Sequence, residues 1–543
     1  MSRVLEIVLC LSLEGWPDRS ASRARGGQRD FGAELVRAWR ICPQVRMRRG
    51  HERVTIEPCR VDEAEPGAAG NWRTWIESTT HGRRVVASRT HAFAPGVTQR
   101  ELFDAEHAGI AVAMPEREAA ADGEAAAPAP DTEAAPAGQA GPAAAAGAAP
   151  LRVVSERRHG RWADDSGVVV EMTLDDVALH AGDEPPRRCV ELRLAAPDWD
   201  AADARAAALR ALFAAARELS GAWPAFIQLT SMIDRACAGE PAVAAPIKAQ
   251  PVDLSGLRTQ RTALFALSRD IAAQWLGNEA GVLERDDPEY VHQMRVALRR
   301  LRTLMRFFPR FADRRWKDTF GADLRWLAAL LGTVRDWDVF STESLPALID
   351  ADGGGTDWNG TLDAARAQAR AARVELRQGL HSARYARLTR GWLEWLSALA
   401  LPPAADDGAP SLRRHATKRV RRLFGHLYAS PSLTSLDTAA RHRVRIDAKR
   451  LRYALEFFAS LASRRTRNET VKTLARVQSV LGDANDAMVA LQHLEQLGAP
   501  AYQIGFVRGY GAALEQRAAR DAEALLASLR PPKLDGKAGR AAR

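Results

Sequence analysis

The chain has 543 residues, enough for two or three domains, and its 46% hydrophobic and 27% charged content is that of a globular protein. Fibrous, wholly disordered and membrane-embedded classes are excluded, since no uninterrupted apolar run reaches the ~18 residues a bilayer span needs. The net charge of +10 is unevenly held: residues 251–543 carry 47 Lys and Arg against 32 Asp and Glu, a balance of +15, while residues 1–250 stand at −5. The C-terminal half therefore suits an anionic partner and the N-terminal half does not.

From the N-terminus, Leu5 to Leu13 alternates, with the odd positions all apolar, which predicts a strand with one packed face. Glu6 interrupts this stretch and no cleavage-site pattern follows, so the expectation is a cytoplasmic protein without membrane insertion. Cys10, Cys42, Cys59, Cys189 and Cys237 are odd in number and form no C-x-x-C pair, which argues against a disulfide framework or a zinc knuckle. Residues 115–150 are almost wholly Ala, Pro, Gly and acid and predict a solvated, disordered insert. Val168 to Leu174 and Cys189 to Leu194 predict further strands, and Ala201 to Ser220 an Ala-rich helix. Gly239 to Pro251 holds three prolines and separates this period-two region from one that is helical almost throughout. The predicted division is a β-rich domain over 1–238, a linker over 239–256, an all-α domain over 257–530 and a disordered basic tail over 531–543.

The helical half contains a duplication at an offset of 150 residues. His292-Gln293-Met294-Arg295-Val296-Ala297-Leu298-Arg299-Arg300-Leu301-Arg302 aligns with His442-Arg443-Val444-Arg445-Ile446-Asp447-Ala448-Lys449-Arg450-Leu451-Arg452, and the pairs Phe307-Phe308 and Phe457-Phe458 follow in step. Leu331-Gly332-Thr333-Val334-Arg335-Asp336 likewise matches Leu481-Gly482-Asp483-Ala484-Asn485-Asp486. Two tandem units of about four helices each are predicted. At 100° per residue, His292, Arg295, Arg299, Arg302 and Arg306 share one arc opposite Met294, Leu298, Leu301 and Phe308. The second copy aligns His442, Arg445, Lys449 and Arg452, and a helix over Leu412 to Leu427 aligns Arg414, Lys418 and Arg421. A solvated helix face ordinarily mixes signs, because Glu and Lys four apart support the helix, whereas stacked like charges cost a few tenths of a kcal/mol per pair. A recurring single-sign stripe therefore points to a bound anion. The two histidines fit either contact with it or a hydrogen bond fixing the bundle. The first stripe is about 21 Å long at 1.5 Å per residue, which suits a linear polyanion, and no G-x-x-x-x-G-K-[ST] phosphate loop occurs. Phe307, Phe308, Trp326 and Phe458 sit at apolar phases and are expected in the core, so these aromatics offer no base-stacking platform.

These motifs, V-H-x-M-R-V-A-x-R-R-L-R with L-L-G-x-V-R-D and R-I-x-x-K-R-L-R-Y-x-L-E-F-F with L-G-D-x-N-D, resemble the CHAD (conserved histidine α-helical) domain over about 257–530. The resemblance implies two four-helix bundles whose basic helices line a groove that binds inorganic polyphosphate, often at polyphosphate granules. It implies ligand contacts at His292, Arg295, Arg299 and Arg302 and at His442, Arg445, Lys449 and Arg452. The region before it resembles, in outline, a CYTH domain, an antiparallel β-barrel of the triphosphate-tunnel type, so the fold class expected is α+β multidomain. That family's opening E-x-E-x-K, whose acids hold a metal ion and whose Lys holds phosphate, here reads Glu6, Val8 and Cys10, and its late E-x-E reads Glu191 and Arg193. Arg46, Arg48 and Arg49 remain as phosphate contacts or as ordinary surface arginines. The expected function is non-catalytic polyphosphate binding, with no cofactor, no metal and no catalytic residue. The alternatives are a metal-dependent triphosphatase in the tunnel, which the depleted acids disfavour, and a nucleic-acid binder using the same basic helices.

Overall fold

A computed structural model describes residues 2–11, 30–59, 72–104, 151–181, 186–198, 201–221, 223–237, 243–402, 411–429 and 432–534. The insert expected over 115–150 and the tail beyond residue 534 lie outside the described residues.

The N-terminal strands are β1 (Ser2–Leu11), β2 (Val45–Met47), β3 (Glu52–Cys59), β4 (Trp72–Thr79), β5 (Gly82–Ala94), β6 (Val97–Asp104), β7 (Leu151–Ala163), β8 (Val169–Ala181), β9 (Arg187–Pro197) and β10 (Ala225–Gln228). Eight of them close an antiparallel barrel in the order β1-β6-β5-β4-β3-β7-β8-β9, with β9 returning to β1, while β10 adds to β1 and β2 to β7. Closure leaves no long open edge. The alternation of β1 decides its faces: Leu5, Ile7, Leu9 and Leu11 join one core with Leu209, Leu212 and Phe213 of α2 (Ala202–Leu219). Glu6, Val8 and Cys10 take the opposite face, toward the barrel interior, where Val8 pairs with Arg193 and Cys10 with Glu191 across β9. A smaller core fills part of that interior: Val54, Ile56, Trp75, Val153, Val177 and Cys189 surround Ile233 and Ala236 of the short helix α3 (Met232–Cys237). A further helix, α1 (Phe31–Trp39), is capped by Asp30, which accepts from the Ala33 amide at 2.8 Å.

The C-terminal half is helical: α4 (Gln260–Leu276), α5 (Glu279–Glu284), α6 (Pro288–Phe307), α7 (Arg314–Val339), α8 (Leu345–Asp352), α9 (Asn359–Leu380), α10 (Ala383–Ala400), α11 (Leu412–Tyr428), α12 (Thr438–Phe457), α13 (Val471–Leu497) and α14 (Ala501–Ala527). The duplication is visible in the order: α4, α6, α7 and α9 of the first unit recur as α11, α12, α13 and α14 of the second. The long helix α10 has no counterpart and packs against the barrel. Asp287 caps α6, where Pro288 takes the first helical position, and Asp437 caps α12, so the two stripe-bearing helices start alike. Phe307 packs on Phe457 and Phe308 on Phe458, with ring centres 6.1 and 6.2 Å apart, which locks the ends of α6 and α12 together and confirms these aromatics as core. No described helix is long and apolar enough to cross a membrane.

Candidate functional site

The two stripes meet. On α12, Arg445 and Arg452 lie one turn either side of Lys449, and Arg295 and Arg299 of α6 also act on the Lys449 ammonium. Burial is the largest effect on that group; with the four guanidinium charges it pulls Lys449 from 10.5 down to about 7. Arg299 is held below its ordinary range first by burial, with Arg295 and Arg452 adding to the shift. Its guanidinium carbon stands 5.5 Å from the centre of the Tyr453 ring, and that of Arg452 stands 5.2 Å from the same ring. Tyr453 is thus an aromatic wall between the two copies of the motif.

Hydrogen bonding in this cluster is lopsided. Arg452 donates from Nε to Gln478 Oε1 at 3.0 Å and pairs with Glu456 at 2.7 Å, and Arg295 stands 3.5 Å from Asp336. Yet Arg299 Nε, Tyr453 Oη and Gln478 Nε2 are buried without an acceptor among the described residues. These donors stand on the face where five cations converge, the kind of surroundings that acceptor oxygens would satisfy. Gly332 of the repeated Leu-Gly motif leaves space for Arg295, since a Cβ there would stand 2.7 Å from a guanidinium nitrogen, whereas a Cβ on Gly482 would meet Arg445 at an ordinary 4.0 Å.

The remaining stripe residues take different places. Arg302 and Arg306 are exposed, and burial followed by Arg450 and Arg302 lowers Arg306. They continue the cationic track toward the end of α6. His292 is half-buried, and burial followed by Arg335 lowers it, which favours the neutral imidazole. His442 is exposed and lines, with Arg441 and Arg445, a cavity of about 70 Å³ between α12, α13 and α14. Arg300 is not part of the cluster: it turns inward to Asp270 and Gln274, both at 2.7 Å, and ties α6 to α4. Arg414, Lys418 and Arg421 are exposed on the side of α11 away from its buried Leu412, Ala416, Val420 and Leu427.

Within the barrel, the acids that survive from the tunnel pattern are already engaged. Glu6 accepts from Arg100 at 3.0 Å and faces Arg193 at 3.4 Å, while Asp234 of α3 accepts from the same Arg100 at 2.6 Å. Arg157 binds Asp175 at 2.8 Å and Glu77 at 3.2 Å, and Arg84 adds a 2.5 Å bond to Glu77. Glu191 accepts from the Met232 amide at 2.6 Å, and burial raises its carboxyl to about 7. The Arg48 charge adds to burial and Arg157 in lowering His159, and Arg46 donates to the Pro43 carbonyl at 2.7 Å. Arg49 is exposed. Among the described residues, no group of three or more His, Cys, Asp and Glu is placed to hold a metal ion.

Residues 266–495 match the CHAD domain model. The helical half is a CHAD domain. Two uncharacterized proteins, from two strains of Mycobacterium tuberculosis, are 32% identical to the chain over 262 residues, 45% of this chain and 48% of theirs. The chain spans about half the length of these curated relatives. The CHAD domain from the plant Ricinus communis is 32% identical and aligns over 53% of this chain and 99% of its own, with a TM-score of 0.45. The putative adenylyl cyclase HpAC1 from Hippeastrum, whose structure is described as revealing a dominant triphosphatase activity, aligns at 10% identity over 44% of this chain and 97% of its own, with a TM-score of 0.23.

Sequence reasoning missed three residues near this cluster. Tyr453 and Gln478 have no equivalents in the first copy, where Thr303 and Ala328 stand, so the repeat offers no signal for them. Arg335 lies within the repeated Leu-Gly motif, but only the folded packing brings it near His292.

Proposed function

We propose that the helical domain binds inorganic polyphosphate non-catalytically, with one chain lying across both repeats against Arg295, Arg299 and Arg302 and against Arg445, Lys449 and Arg452. His292 and His442 flank the track. The observation that carries this reading is the set of acceptor-less donors, Arg299 Nε, Tyr453 Oη and Gln478 Nε2, within a cluster of five cations. Phosphate oxygens satisfy such donors and relieve the mutual repulsion in one step, and a base-free chain needs no stacking partner inside the groove. The location that follows is the cytoplasm, at polyphosphate granules where these exist.

The barrel, on the same reading, is not a triphosphatase. Metal-dependent hydrolysis needs clustered free carboxylates, whereas Glu6, Glu77, Asp175 and Asp234 spend their charge on Arg84, Arg100, Arg157 and Arg193. Capture on immobilised long-chain polyphosphate at fixed salt, with RNA and ATP added as competitors at equal phosphate, tests the assignment. Retention that long-chain polyphosphate alone displaces supports it. Displacement by RNA as readily as by polyphosphate, or loss of metal-dependent tripolyphosphate turnover on Glu6→Gln, rejects it.

A further inference from the structure

Helix α11 is built against its own stability. Its sequence, Leu412 to Tyr428, holds six Arg or Lys and no acid. Arg413 and Arg414 occupy the first turn, where the positive end of the helix dipole disfavours cations. Arg414, Lys418, Arg421 and Arg422 meet no carboxylate among the described residues, whereas arginines such as Arg300 and Arg373 on other helices pair with Asp270 and Asp338. Gly425, the poorest helix former but for proline, sits in the last two turns with open space where its Cβ would be. Tyr428 is 73% exposed, its ring stacked on Phe424 at 5.7 Å. At 100° per residue Arg414, Lys418, Arg421, Gly425 and Tyr428 share an arc of about 80°, opposite the buried face. The solvent side of α11 therefore reads, in order, three cations, a bare backbone patch and an exposed aromatic ring.

We infer that this face of α11 is a second binding surface, separate from the CHAD groove, for single-stranded nucleic acid: Arg414, Lys418 and Arg421 hold consecutive phosphates, and Tyr428 stacks a base over the floor left by Gly425. Phosphate contact alone would leave Gly425 and the exposed ring without a role, whereas every base offers a face to an aromatic platform. An anionic membrane fits less well. A helix lying on lipid inserts its apolar face, and here Leu412, Ala416, Val420 and Leu427 are buried against the bundle. The inference does not depend on what occupies the groove.

The test is fluorescence anisotropy of the full chain with labelled oligouridylate, oligothymidylate and an abasic strand of equal length, at one stated salt concentration. The parent should bind the base-bearing strands several-fold more tightly than the abasic one, and Tyr428→Ala should abolish that difference. Reversing Arg414, Lys418 and Arg421 to Glu should weaken both by at least about tenfold. Gly425→Leu should raise the melting temperature, through better helix propensity, while weakening the base-bearing strands, which a merely structural glycine would not do. Equal affinity for base-bearing and abasic strands would overturn the stacking assignment. Binding that survives the α11 reversal but is lost on Arg295→Glu with Arg445→Glu would place the strand in the groove and overturn the proposal, as would binding to phosphatidylserine vesicles without binding to oligonucleotides.

Discussion

Lys449 stands among four guanidinium charges, and its chemistry gives a pH signature. Its native value of about 7 lies below the 10.5 of a free lysine, so between these values the unfolded chain holds a proton that the folded chain has released. The stability this group contributes is therefore present above 10.5 and is lost as pH falls through about 7. Bound phosphate reverses the local field and favours the ammonium, so binding above neutrality takes up a proton. Polyphosphate affinity should fall as pH rises from about 7 to 9, with proton uptake visible by calorimetry in buffers of different ionisation enthalpy. Lys449→Arg should bind with a flat profile; a parent that takes up no proton contradicts the assignment. Reversing Arg295 and Arg299 to Glu should weaken polyphosphate binding by at least about tenfold and leave helix content by circular dichroism unchanged, since neither side chain belongs to the apolar face of α6. The phase of these stripes was legible in the sequence because helical spacing alone fixes which residues share a face. Tyr453 and Gln478 were not, because they join the site only where α12 meets α6 and α13.

At the scale of elements, the barrel interior turns on α3, six residues that carry little periodic signal and that the sequence did not single out. Asp234 reaches from it to Arg100, which Glu6 engages from the other side, in a triad almost wholly withdrawn from water. Removing one partner leaves a buried guanidinium undercompensated, which costs on the order of 3 kcal/mol or more. Asp234→Ala should accordingly lower stability in urea unfolding by about that amount. A loss within experimental error would mean that water reaches Arg100. The inward strand face was legible: the alternation of β1 and β9 places Glu6, Val8, Cys10, Glu191 and Arg193 inside, as expected. That Glu6 is already neutralised by arginines on other strands was not, because Arg100 lies 94 residues away in sequence and Arg193 further still. Glu191 adds a second pH effect. Its native value of about 7 lies above the ordinary 4.5, so its contribution is full below 4.5 and is lost as pH rises through about 7. Glu191→Gln should remove that part of the alkaline loss in melting temperature; an unchanged pH profile would show that Glu191 is ionised in the native barrel.

The whole molecule is less divisible than its two periodicities suggest. Helix α10, which lies outside the duplication, joins the halves: Tyr385 meets Phe226 of β10 at 6.2 Å, Arg217 of α2 pairs with Glu394 at 2.9 Å, and Arg390 donates to Ser220 at 2.5 Å. One apolar core runs through both, from Leu5 and Leu212 to Leu393 and Leu494. Period-two and period-3.6 patterns locate domains but say nothing of which helix is shared between them, so this union was hidden in the sequence. A chain cut at the 239–250 connection should melt below the full chain, because the cut exposes the barrel-facing side of α10.

The central claim is that the two repeats make one site, and stoichiometry decides it. Isothermal titration of the full chain with polyphosphate of defined length should give one chain bound per protein at the groove. Reversing either stripe, Arg295 with Arg299 or Arg445 with Lys449, should then lower the affinity while the stoichiometry stays at one. Two chains bound by the parent, with either reversal removing one of them and leaving the other at full affinity, would show two independent sites and contradict the shared groove.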